Sequence, residues 1–383
     1  MISLAAFLVL GRISLQDPPR LRTILDNGAV VLVEPRACKS ISLQLFASSK
    51  HVIESEATHG YRHLLEHLLS RGPNREIDRT LESQGCYLTA STARDALQIE
   101  IHLGKDQFDV GLAALAKLLR RPSFTQEQID REVRVIRDEI AMQDSPSRLS
   151  SASWLAAYGE AGLDPMGTFD SLYRATPEKL LEIYGQTFAS DGLAVAVCGP
   201  VDLDGATKKL AALLAPRARY AGKAEATRGE GIGGYARAES DGESRAALVP
   251  AFNNPITMGT LAAALAIASN LPDSFVIYTP SAKNGLVVVG RKSLSSGVAT
   301  FIDSYPDPGD LFATGRALAR QWVNRQLETE SGTAHLRGLL LCQGSSLRPE
   351  MMLEAINSMT PQDFTKGFSR LRGSQAVTVV GTR

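Results

Sequence analysis

The sequence predicts an α+β chain of two related halves, and three observations carry that prediction. The first is a turn signal: Asp26-Asn27-Gly28 separates two strand-like runs in LRTILDNGAVVLVEP. The second is a capped helix–strand unit that occurs twice. Thr176-Pro177-Glu178 starts a helix leading into LAVAVCGP, and Thr360-Pro361-Gln362 starts one leading into AVTVVGTR. Each pairs an N-cap threonine with a proline at the first helical position, where a missing N–H leaves no bond unmade. The third is a stretch from Ala215 to Glu243, rich in Gly, Ala, Arg and Glu and without apolar period, which marks a boundary. At 383 residues the chain also exceeds what one core usually organises. The expected division is a leader over 1–18, an N-terminal half over 19–215, a linker over 216–243 and a shortened C-terminal half over 244–383.

Within the first half, the hairpin is followed by a strand at Ser40–Ala47 and a helix containing two histidines. A second helix is expected over Ile77–Gln84, then strands at Tyr87–Ser91 and Leu97–Leu103, where apolar residues alternate. Helical periods cover Lys105–Leu119 and Thr125–Gln143, and the half closes with the helix from Pro177 and a buried strand at Leu193–Cys198.

Forty-one basic residues balance forty-one acidic ones. A nucleic-acid or anionic-membrane surface needs net positive charge, so neither is an expected partner. Cys38, Cys86, Cys198 and Cys342 are far apart and form no metal-spaced pair. All four read as structural, and the sequence leaves open whether any two are bonded. Ile2–Leu10 is apolar but too short to span a bilayer. It reads as a clipped or mis-started signal peptide, which would make the protein periplasmic or secreted; a native start would make it cytoplasmic.

Chemistry concentrates in Gly60-Tyr61-Arg62-His63-Leu64-Leu65-Glu66-His67-Leu68-Leu69. On a helix, His63, Glu66, His67 and Ser70 share one face, while Leu64, Leu65, Leu68 and Leu69 take the other. Two imidazoles one turn apart can converge on a divalent ion, and zinc accepts neutral imidazole and carboxylate while leaving a position for solvent. Glu66 lies between them, placed to take a proton. This is the H-x-x-E-H order of the inverted zincins. The Thr125–Gln143 helix offers a third ligand. Its core stripe is Ile129, Val133, Ile136 and Ile140, and its arginines lie on the solvent side. Glu132 and Glu139 share another flank, apart from those arginines. Glu139 is the expected ligand and Glu132 a carboxylate supporting the site. His51, His59 and His102 read as structural or surface residues, and His335, in a separate segment, has no partner at metal spacing.

These segments together resemble the pitrilysin/insulinase (M16) family of zinc peptidases, and in length and layout its short bacterial and mitochondrial-processing-peptidase-like branch. The resemblance covers most of residues 22–215, through LDNGAVVLVEP, GYRHLLEHLLSRG, SQGCYLTASTARDALQIEIHL and FTQEQIDREVRVIRDEI. By matching position it implies His63, His67 and Glu139 as ligands of one zinc ion per chain, Glu66 as base and Glu132 as the supporting glutamate. The implied fold is of the LuxS/MPP-like metallohydrolase type: two halves, each a mostly antiparallel sheet packed with helices, closing like a clamshell around a chamber. The implied activity is endopeptidase cleavage of unfolded peptides, held as an added strand on the sheet edge at Tyr87–Thr92. The family usually carries Asn-Ala there, where this chain has Thr89-Ala90.

A larger departure lies in the second half. In that family, members that work alone and non-catalytic partner subunits carry an arginine and a tyrosine near a Gly-Leu-Ala-Tyr segment, and Ser281 and Val288 stand at those positions here. The expectation is that a related subunit supplies the pair, making this chain the zinc-bearing half of a heterodimer. Other readings are a non-catalytic scaffold or partner subunit, which would be expected to lose ligands that this chain keeps, and a metallohydrolase of non-peptide substrates.

Overall fold

The computed structural model describes residues 20–52, 54–72, 75–222, 228–293 and 297–382. The expected leader over 1–18 lies outside them. In the first half, strands β1 (Leu21–Ile24), β2 (Val30–Pro35) and β3 (Ser40–Ser48) precede helices α1 (Tyr61–Arg71) and α2 (Glu76–Glu82). Strands β4 (Tyr87–Thr92) and β5 (Ala96–Gly104) follow, then α3 (Phe108–Leu118), α4 (Gln126–Ala141) and α5 (Ser145–Tyr158). The half ends with α6 (Phe169–Leu172), α7 (Pro177–Thr187), β6 (Leu193–Gly199) and α8 (Leu203–Leu214).

The second half runs β7 (Gly234–Ala238), β8 (Glu243–Val249), α9 (Pro255–Ser269), β9 (Ser274–Tyr278) and β10 (Gly285–Arg291). It continues through α10 (Val298–Ser304), α11 (Phe312–Gln326), α12 (Glu330–Gln343), α13 (Glu350–Ser358), α14 (Pro361–Ser369) and β11 (Ala376–Gly381).

The strand orders reveal the duplication. One sheet reads β1-β2-β6-β3-β5-β4 and the other β7-β11-β8-β10-β9. In each, the strand closing its half is inserted parallel to one neighbour and antiparallel to the other: β6 beside β2 and β3, β11 beside β7 and β8. Thus β7 plays the part of β2, yet it lies inside the stretch expected as linker. Its exposure pattern explains the discrepancy. Gly234–Ala238 is a sheet-edge strand with no buried residue, so it carries no apolar alternation.

Each sheet is covered on one face by its own helices and on the other by a helix of the opposite half. The first sheet packs the leucines of α1 and the apolar faces of α3, α4, α7 and α8 into one core. Its other face, with Val30, Leu32, Phe46, Ala194 and Ala196, meets Ala334, Leu339 and Cys342 of α12. The second sheet mirrors this: α9, α11, α13 and α14 cover one face, and Leu149, Trp154 and Ala157 of α5 cover the other. Burial on both faces is why β6 is apolar at every position rather than at alternate ones.

The seam also carries charge. Glu34 on β2 is 1% exposed and meets Arg337 of α12 at 2.7 Å, which in turn reaches Glu350 at 3.0 Å. At Gly338 a Cβ would stand 2.2 Å from the Phe46 ring, so only glycine lets α12 approach the sheet there. All four cysteines are free thiols. Among the described residues no helix is long and apolar enough to cross a membrane.

Candidate active site

Helix α1 is buried over its whole length to Ser70, on the histidine face as well as the leucine face. The polar stripe therefore does not face bulk solvent. The helix begins at Gly60, whose φ of 85° only glycine adopts without strain, and a Cβ there would lie 2.5 Å from Gly167 Cα. That close approach seats the 159–168 segment over the start of α1. His59 Nε2 donates to the Asp164 carbonyl, and the Ser171 hydroxyl donates to the His59 carbonyl at 2.7 Å, which fastens the seat.

Helix α4 is the second wall. A capping box of Thr125 and Gln128 fixes its start. Ile129, Val133 and Ile136 enter the core, and this orientation turns Glu132 and Glu139, two turns apart, toward α1. Burial then decides how they differ: Glu132 is 3% exposed, while the Glu139 side chain keeps 35% of its surface.

The structure brings His63, His67 and Glu139 together. Glu139 Oε2 lies 3.6 Å from His63 Nε2 and 3.3 Å from His67 Nε2. One donor atom from each of the three sits within 4.8 Å of the others. A tetrahedral zinc with bonds of about 2.0–2.2 Å separates its ligand atoms by roughly 3.3 Å, so the spacing suits such an ion. The outer nitrogens are engaged elsewhere. His63 Nδ1 faces the Met166 carbonyl at 3.4 Å, and His67 Nδ1 faces Glu132 Oε2 at 3.5 Å without a full hydrogen bond. Both Nδ1 atoms are directed at acceptors, which leaves the Nε2 lone pairs on the Glu139 side. The donor set thus fits zinc in type, number and spacing.

Burial, reinforced by His67, pushes the His63 imidazole down to about 4, so it is neutral near pH 7 and its lone pair is free. Glu66 is 6% exposed. Burial pushes its carboxyl up to about 7; Glu139 adds to the rise, while His67, Arg71 and a hydrogen bond from Thr92 Oγ1 at 3.1 Å oppose it. Glu132 is held below the usual carboxylate range: burial alone would raise it, and His67, Arg71 and Arg131 together outweigh that.

Two features differ from expectation. The glutamates do not stand apart from arginines: Arg71 reaches Glu132 at 3.2 Å and Glu139 at 3.8 Å, and Arg131 folds back onto Glu132 at 3.3 Å. Arg71 extends the His67 face by one further turn, a spacing visible in the sequence. Thr92, the last residue of β4, carried no such signal, because only strand pairing brings it to Glu66. The remaining histidines have structural partners: His51 meets Asp191 at 3.0 Å, His102 stacks on Tyr87 and His335 lies edge-on to Phe46. Among the described residues strand β4 pairs on one side only, with β5, and it alternates exposed and half-buried residues. Ser281 is buried in the β9–β10 connection, and Val288 is fully buried beside Trp154 of α5.

Comparison with known proteins agrees with this architecture. The sequence profile described as Insulinase (Peptidase family M16) matches residues 30–159. The chain is 24% identical over 189 residues to mitochondrial-processing peptidase subunit beta of Dictyostelium discoideum, a stretch covering 47% of this chain and 40% of that one. It is 26% identical over 192 residues to an uncharacterized zinc protease of Mycobacterium leprae, covering 48% and 43% respectively. The match therefore spans less than half the length of these curated relatives. A protease from Helicobacter pylori superposes with a TM-score of 0.78 at 15% identity, over 94% of this chain and 99% of that one, which establishes a shared fold. Residues 30–159 thus match the insulinase (M16) peptidase family, and the chain as a whole shares its fold with a solved protease.

Proposed function

We propose that the chain is a zinc-dependent endopeptidase acting on unfolded peptides, with His63, His67 and Glu139 holding one zinc ion. The carrying observation is the convergence of two lone-pair-bearing Nε2 atoms on Glu139 Oε2 at 3.6 and 3.3 Å, with both Nδ1 atoms facing acceptors. Zinc bound there would supply Lewis-acid polarisation of the scissile carbonyl and of the attacking water. Glu66 takes the proton from that water and hands it to the departing amine. A carboxylate takes up a proton and a carboxyl returns it, so one side chain serves both tasks. Thr92 holds Glu66 in place, and Glu132 keeps the His67 ring turned so that Nε2 faces Glu139.

The free edge of β4 is the natural seat for an extended peptide, since it ends at the residue that touches Glu66. The test is metal analysis together with peptide digestion: the purified chain should carry close to one zinc, lose hydrolysis to a chelator and regain it with zinc. Hydrolysis that survives complete metal removal would end the reading.

Ser281 and Val288 favour a partner. Both are buried where the family carries an arginine and a tyrosine, so neither can reach a substrate. The chain is then the zinc-bearing subunit of a heterodimer and turns over slowly by itself, because a substrate-positioning group is worth orders of magnitude in rate. A lone chain with a turnover of ordinary enzymes, about 10 per second, would argue against a partner.

A further inference from the structure

We infer that the cavity flanking His67 selects peptides with an acidic side chain close to the scissile bond, an inference that rests on the endopeptidase reading. The cavity, of about 350 Å3, lies between the end of α1, α2, the end of α3 and the start of α4. His67 and Glu132 form part of its wall, so its occupant sits on the Glu132 side of the His67 ring, next to one of the three candidate ligands. Its volume is at the small end for ligand sites, enough for a side chain with its neighbouring backbone.

Charge in this cavity is unbalanced. Five basic side chains line it against two carboxylates. Glu76 is taken by Lys117 at 2.9 Å, and Glu132 by Arg71 and Arg131 at 3.2 and 3.3 Å. Arg120 and Arg121 are both exposed and neither makes an ion pair among the described residues, although Arg120 also acts on Glu76 at longer range. They follow Leu119, the residue that caps α3, and precede Pro122, which removes a backbone donor and keeps the segment from continuing as helix. One part of its wall is apolar, with Leu68, Ile77 and Phe124. An acidic side chain would lay its methylenes on that wall and its carboxylate between the two guanidinia. A lysine or arginine would meet uncompensated like charge, and repulsion of this kind discriminates as strongly as attraction.

The test measures binding and cleavage separately. Glu66→Gln chain loaded with zinc is titrated against two labelled decapeptides, identical except that one carries glutamates where the other carries lysines. At low salt the glutamate peptide should bind roughly fivefold or more tightly, as expected for two partly exposed charge pairs. The preference should shrink as salt is raised. Arg120→Glu with Arg121→Glu should abolish or invert it, whereas Arg134→Glu with Arg137→Glu, an equal charge change on the exposed face of α4, should not. Equal binding of the two peptides, binding of neither, or a preference that survives the double replacement would overturn the inference. Cleavage by the unmodified chain separates the two ideas. An acidic binding preference without hydrolysis of either peptide keeps the pocket and discards the peptidase; hydrolysis without acidic preference does the reverse.

Discussion

Replacing Glu66 with Gln tests the catalytic reading and the electrostatics of the site at once. The substitution keeps the shape and an oxygen that can accept from Thr92 Oγ1, so packing is unchanged. It removes the group that takes the proton, and hydrolysis should fall by about a hundred- to ten-thousand-fold while zinc content stays the same. Stability of the chelator-treated protein gives an independent figure. Burial lifts the Glu66 carboxyl from 4.5 to about 7, and at about 1.36 kcal/mol per unit this penalises its ionised form by on the order of 3 kcal/mol. Below pH 4.5 the group is protonated whether the chain is folded or not, and its contribution is fully present. As pH rises toward 7 the unfolded chain releases the proton while the folded chain retains it, so stability falls, and the loss levels off above 7. The glutamine variant lacks this slope and should be the more stable protein at pH 8 by up to that amount. Urea unfolding of both proteins at pH 5, 6, 7 and 8 in chelator measures it. Hydrolysis within tenfold of the parent, or parallel stability curves for the two proteins, would refute the assignment.

Three further outcomes are expected. Glu132→Ala removes the acceptor beside His67 Nδ1 and a partner of Arg71, and should weaken zinc by about 10- to 100-fold in a competitive chelator titration, with the ion still bound at saturation. Gly338→Val drives a side chain into Phe46 at the seam between α12 and the first sheet, and should lower the urea midpoint by the equivalent of about 1–3 kcal/mol without touching the zinc ligands. Asp95→Ala leaves Arg228, paired with it at 2.8 Å and lying over Trp154, as a buried lone charge, and should cost about 3–5 kcal/mol. The double variant with Arg228→Met should recover much of that; calorimetry showing no recovery would mean that the pair is not the source of the loss.

Wherever structure follows from the local period of side chains, the sequence was sufficient. The turn at Asp26-Asn27-Gly28, the strand alternation over Tyr87–Thr92 and the capping of Thr125–Gln143 all appear within a residue or two of expectation. The two faces of α1 put His63, Glu66 and His67 together opposite the leucines, and the single apolar stripe of α4 put Glu139 on a flank apart from the core, because a helix converts spacing into direction. The duplicated helix–strand units were legible for the same reason. Helix α5 was not: Ser145–Tyr158 shows no clean apolar stripe, since it buries Ser150 and Ser153 along with Leu149, Trp154 and Ala157 against a sheet of the other half.

Tertiary structure decided the rest, and it did so through contacts between residues far apart in the chain. Strand β7 exists because β11, some 140 positions later, offers it a parallel partner, as the bond from Thr382 to the Ala238 carbonyl shows. Thr92 reaches Glu66 only because β4 pairs at the sheet edge beside α1, and Met166 reaches His63 only because Gly60 and Gly167 allow two backbones to touch. Arg71 spans both glutamates because α1 and α4 meet at one particular angle. Local periodicity determines which way a side chain points; what it points at is settled by packing, which no single segment of the sequence encodes.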